Sequence, residues 1–133
     1  MRDYVRLHTS ILLRRLAYQL NHAAKSGDAD AIHDLRVAIR RLSGCLRLFA
    51  RFYPGHSAKR IRRRLGDLME LAGGVRNLDT TLELLGKAGV PAKAPLAVSL
   101  RDKRRKACAQ LEREIRLWKN RAFSRKWRSR LEL

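Results

Sequence analysis

Apolar residues recur along the chain at steps of three and four, and nowhere do they alternate at steps of two. The pattern predicts helices and no strands. It is clearest between Ile32 and Tyr53, IHDLRVAIRRLSGCLRLFARFY. There Ile32, Leu35, Ile39, Leu42, Leu46, Phe49 and Tyr53 form one unbroken stripe, the mark of a buried helical face. Before it, residues 3–25 read as a first helix, with Val5, Leu12, Leu16, Leu20 and Ala23 on one side and Leu7, Ile11 and Tyr18 on a second. Two apolar sides predict packed neighbours on both. Ser26-Gly27-Asp28 ends this helix, with glycine suited to the C′ position and Asp28 or Asp30 able to cap the next helix. Pro54-Gly55 stops the central one.

A third helix is predicted over Ser57–Ala72, with Ile61, Leu65, Leu68 and Ala72 inward. Gly73-Gly74 then predicts a break, followed by a short fourth helix from Asn77 carrying Leu78, Leu82 and Leu85. Gly86 and Gly89–Pro95 read as a loop. The last long helix, Ala94–Lys119, places Leu96, Leu100, Ala107, Leu111, Ile115 and Trp118 at helical steps. Phe123, Trp127 and Leu131 add a further turn or two. The expected fold is all-α: an antiparallel bundle of four principal helices plus a short one, in a single domain spanning residues 1–133.

The polar positions of the central helix change the picture. His33, Arg36, Arg40, Arg47 and Arg51 form a second stripe, with Gly44 filling its gap. At ~100° per residue these five positions span roughly 60°, about 130° from the centre of the apolar stripe. Arginines four apart repel by a few tenths of a kcal/mol. A solvated face would interleave carboxylates, and this stripe has none, so it predicts an anionic partner. The third helix likewise opens with Lys59, Arg60, Arg62, Arg63 and Arg64, cations that oppose the helix dipole.

The whole chain shares this bias. Lys plus Arg number 31 against 12 Asp plus Glu, a net charge of +19, and 23 of the 31 are arginine. Guanidinium offers a planar fork of donors suited to phosphate, which lysine does not. A polyanion is the implied partner. Cys45 and Cys108 lie singly within helical patterns and read as small, reduced core residues. No apolar run suits a membrane span or signal peptide, so the expected location is the cytoplasm.

Two motifs give these features a family context. His33-Asp34-Leu35-Arg36-Val37-Ala38-Ile39-Arg40-Arg41-Leu42 resembles the H-x-x-R-V-x-x-R-R-L motif of the CHAD domain, a histidine-containing helical domain. Gly74-Val75-Arg76-Asn77-Leu78-Asp79 is similar to its G-x-x-R-D-x-D element, with Asn77 where the family usually has aspartate. The basic run Arg101, Lys103, Arg104 and Arg105 is a looser third match. The resemblance implies a bundle that binds inorganic polyphosphate through basic side chains lining a groove or pore. Family members typically carry two such bundles; this chain has one copy, which raises the expectation of a homodimer.

The residues expected to contact polyphosphate are therefore His33, Arg36, Arg40, Arg41, Arg47, Arg51, Arg63, Arg76, Arg101 and Arg105. His33 can donate to a phosphate oxygen or carry charge itself. Arg41 lies 80–100° around the helix from the stripe, as suited to a salt bridge or rim contact as to the ligand. Asp79 is read as a cap and salt-bridge partner at a helix start, able to hold Arg36 or Arg40 from behind. His8, Arg15 and His22, seven apart on the first helix, could make a second wall, but a solvated face is the plainer reading.

Catalytic readings find little support. Glu112-Arg113-Glu114-Ile115-Arg116 resembles the E-x-E-x-K/R strand motif of triphosphate tunnel enzymes, yet on a helix the two carboxylates diverge by ~200°. No P-loop, Ser-His-Asp arrangement or paired-His metal spacing is present, and no cofactor is expected. Nucleic acid is the alternative partner, since its phosphates look alike to an arginine. Against it stand an aromatic content of 6%, with most aromatics on apolar faces, and no turn preceding a recognition helix. The sequence reads as a non-catalytic polyphosphate-binding bundle, with targeting to polyphosphate granules one role for it.

Overall fold

The computed structural model describes residues 1–133. Its elements are α1 (Arg2–Ser26), α2 (Ala29–Leu48), a 3-10 turn at Ala50–Phe52, α3 (Ser57–Lys87), α4 (Pro95–Asn120) and α5 (Phe123–Arg130). There are no strands. Each long helix packs against its neighbour in sequence, α1 also meets α4, and α5 rests on α1 and α4.

The α2 stripe supplies the centre of the bundle. Ile32, Leu35, Ile39, Leu42 and Leu46 are all buried, within one core of 27 residues that draws on every helix. Fully burying side chains of this size stabilises by ~1.5–3 kcal/mol each. At the far end the core closes with an aromatic cluster: Trp118, Phe123 and Trp127, with ring centroids 5.1–5.4 Å apart.

The α1–α2 turn is built as the sequence predicts. Gly27 adopts φ 63° and donates its N–H to the Ala23 carbonyl, while Asp28 accepts the Ala31 N–H at 2.8 Å. That bond lowers the Asp28 carboxyl below its usual range. Glycine is required at 27 twice over, because a Cβ there would also stand 3.1 Å from the Cys108 sulfur. Both cysteines are free and buried, and burial raises the Cys108 thiol above its ordinary pKa.

Three expectations are corrected. The chain does not break at Gly73-Gly74: α3 runs unbroken through both glycines to Lys87. Two helical glycines cost about 1 kcal/mol each, but Leu68, Ala72 and Val75 keep the buried face in register across them. The short helix is therefore the C-terminal one, not a segment after Asn77. Second, Leu7 and Tyr18 are 63% and 66% exposed, and Ile11 also reaches the surface, so only one side of α1 is packed. Third, Leu96 is exposed and the neighbouring Ala97 is buried instead.

Candidate functional site

The arginine stripe of the central helix opens onto a channel between α2 and α3. Ile39, Arg40, Ser43, Gly44 and Arg47 of α2 meet Leu65, Gly66 and Met69 of α3 around a cavity of about 210 Å³. Its lining holds two arginines and no carboxylate. On α3 the residues Arg62, Gly66, Met69, Gly73 and Arg76 recur at steps of four and three, one line along the helix that matches the arginine stripe of α2.

The glycines shape this channel. Gly44 and Gly66 have ordinary helical backbone, and a Cβ built on either meets nothing within 4 Å. Neither backbone conformation nor close helix contact demands glycine there. Their effect is to leave the floor of the channel low between flanking guanidinium groups.

The guanidinium groups themselves are unpaired. Of the 31 basic side chains, only Arg104, Arg105 and Lys106 form ion pairs with a carboxylate. Arg36 and Arg62 are half-buried, and each has a buried Nε with no hydrogen-bond partner. An unmet donor inside a protein costs on the order of 1–3 kcal/mol. These two mark places where an external acceptor would remove a penalty.

The structure divides the sequence-predicted residues among different surfaces. Arg40 and Arg47 share the α2–α3 channel, and Arg36 and Arg76 belong to the same helical lines. His33 is exposed, one turn before the half-buried Arg36. Arg51 leaves the stripe, because α2 ends at Leu48 and the 3-10 turn changes the pitch; its guanidinium lies 5.0 Å over the Phe52 ring. Arg63 is exposed and about 100° around α3 from Arg62. Arg41 faces α1, where it lines a different cavity with Arg14 and Arg15. Arg101 and Arg105 border a third cavity beside Ser26 and Gly27; Arg101 donates to the Ala92 carbonyl and Arg105 pairs with Asp102 at 3.1 Å.

Asp79 does not stand behind Arg36 or Arg40. It accepts Arg104 Nε at 2.7 Å, and Arg104 also donates to the Gly27 carbonyl at 2.6 Å. This contact ties α3 and α4 to the α1–α2 turn. Hydrogen bonding to Asp79 raises the Arg104 pKa further, so the cation is permanent. Arg62 stands in the basic run read at the start of the third helix, where Arg63 is the contact residue expected in its place. Its signal was present in the Arg62–Gly66–Met69–Gly73–Arg76 spacing, but a helix break at Gly73 hid the line.

The sequence profile of the CHAD domain matches residues 10–133. The chain belongs to the CHAD domain family. That family is associated with polyphosphate binding. No curated protein and no solved structure matches the chain. Both motif helices of this CHAD domain flank one channel, since the histidine-headed motif lies on α2 and Arg76 on α3. No helix is long and apolar enough to cross a membrane, and no group of three or more His, Cys, Asp or Glu side chains converges as a metal site.

Proposed function

We propose that this CHAD domain binds inorganic polyphosphate along the α2–α3 channel without turning it over. The observation that carries this reading is the pair Arg40 and Arg47 over a glycine floor, with no carboxylate in the lining. Arg36, Arg62 and Arg76 extend the cationic lines, and His33 heads the one on α2. Binding is multidentate, with each guanidinium contributing modestly and condensed counterions released from the chain. Its affinity therefore falls steeply with salt. A hollow of about 210 Å³ suits a flexible phosphate chain and not a duplex.

The nucleic-acid alternative has one observation in its favour. Tyr4 and Tyr18 are exposed, each stacked on a histidine of α1, at 5.6 Å to His8 and 6.3 Å to His22. These rings lie on α1, not beside the glycine floor. A competition titration decides between the readings. Polyphosphate is expected to displace DNA and RNA of equal phosphate content at physiological salt; displacement of polyphosphate by duplex DNA would overturn the proposal.

The assembly we infer is a two-fold homodimer bridged by ligand, in which two channels join into one longer site. Two copies of a +19 chain repel, so the bridging chain supplies the attraction. Light scattering with and without long-chain polyphosphate tests it: a monomer in both conditions removes the dimer from the reading. The corresponding cellular role is cytoplasmic, at polyphosphate granules.

A further inference from the structure

A cavity larger than the α2–α3 channel also borders the central helix. It lies on the opposite flank of α2, against α1, and encloses about 570 Å³. A second hollow of about 350 Å³ shares Leu12, Arg15 and Arg41 with it and extends the cleft toward Leu48 and Phe49. The first volume alone falls within the ~300–1,000 Å³ range of small-molecule sites.

The lining sets five apolar or aromatic side chains beside its cations, against three in the α2–α3 channel. Ile11, Leu12, Val37 and Ala38 supply apolar surface, and the Tyr18 ring borders them. Arg14, Arg15 and Arg41 sit around this surface, and none of the three forms an ion pair or a side-chain hydrogen bond within the chain. Asp34 is the one acid present, also without an ion-pair partner. Gln19, a further lining residue, holds a buried amide oxygen with no hydrogen-bond donor.

We propose that the α1–α2 cleft binds a small organic anion: a carboxylate, sulfonate or phosphate ester carried on an aromatic or acyl body. The apolar surface buries the body, the three arginines hold the anionic group, and a ligand hydroxyl or amine can meet the Gln19 oxygen. Inorganic polyphosphate has no apolar surface to match this lining. A second copy of the chain is disfavoured by charge. A two-fold contact here would set Arg14, Arg15 and Arg41 against their own copies, with a single Asp34 from each side to offset them. The site is separate from the α2–α3 channel and its test does not depend on polyphosphate binding.

The probe is 8-anilinonaphthalene-1-sulfonate, an aromatic sulfonate whose fluorescence rises in apolar surroundings. Titrated into the full chain, it is expected to occupy one saturable site per molecule. Replacing the exposed pair Arg15 and Arg41 by alanine is expected to weaken it by roughly tenfold or more. Val37→Trp, which fills the cleft without removing a cation, is expected to weaken it as much while leaving polyphosphate affinity unchanged. Circular dichroism melts of each variant establish that the bundle is intact. Unaltered probe affinity in both folded variants overturns the proposal. So does a loss of probe sites in step with a doubling of mass in light scattering, which would assign the cleft to a second copy.

Discussion

Two arginine-bearing seams of this bundle look alike in sequence and differ in what their charges do. Between α3 and α4, Arg104 is 22% exposed and Asp79 12%, and the guanidinium meets both a carboxylate and the Gly27 carbonyl. Between α2 and α3, Arg40 and Arg47 meet neither. The first arrangement removes a charge from water and compensates it locally, so it holds the fold together. The second leaves cations aligned and uncompensated, which adds nothing to folding and suits an external anion. The partner, not the residue type, separates an arginine committed to the fold from one left free.

The largest expected effect tests the second seam. Arg40→Ala with Arg47→Ala should weaken polyphosphate binding by ~3 kcal/mol, roughly a hundredfold, if each charged hydrogen bond contributes ~1.5 kcal/mol. The melting temperature should hold or rise, because like-charge repulsion is relieved. Calorimetric titration and thermal melts together decide it, and unchanged affinity would place the site elsewhere. Asp79→Ala is the mirror experiment on the first seam. It should lower stability by about 2 kcal/mol, read from urea unfolding, since Arg104 keeps one carbonyl but loses its carboxylate. Polyphosphate affinity should stay within error; a large loss would mean that the two seams are coupled.

A smaller change sharpens the contrast further. Gly44→Ala and Gly66→Ala should each stabilise the protein by up to ~1 kcal/mol through helix propensity, since the added methyl meets nothing. Both should nevertheless weaken polyphosphate binding, because the methyl rises into the channel floor. Tighter binding would show that the chain does not lie there. The smallest effect concerns acid. The Asp28 carboxyl is lowered from 3.8, chiefly by the Ala31 N–H, so its contribution to stability is present above that value. It is lost as pH falls through the lowered folded pKa. Asp28→Asn keeps the cap without the titration, and urea melts at pH 6 and pH 3 should show a weaker pH dependence in that variant than in the parent.

How much of this could be read beforehand varies by residue. Ile32, Leu35, Ile39, Leu42 and Leu46 identified themselves by spacing, because burial of one helical face leaves a period of 3.6 in the sequence. Arg36 and Arg40 were legible as a cationic line for the same reason. Gly73 misled. Its intrinsic cost argued for a break, while the decisive term was the burial of Ala72 and Val75 on either side of it. Asp79 could not be assigned, since its partner Arg104 lies 25 residues away and on another helix.

The all-helical class, the buried stripe of α2, the CHAD motifs and the excess of arginine were legible in the chain, because all of them are local or compositional. Which arginines share a surface emerged from the packing of the helices. Arg40 and Arg41 are adjacent in the chain, yet a rotation of ~100° sends one to α3 and the other to α1. Periodicity reports an angle around one helix axis. It says nothing of which neighbour waits at that angle, and that neighbour is what makes a charge a brace, a channel wall or the edge of an apolar cleft.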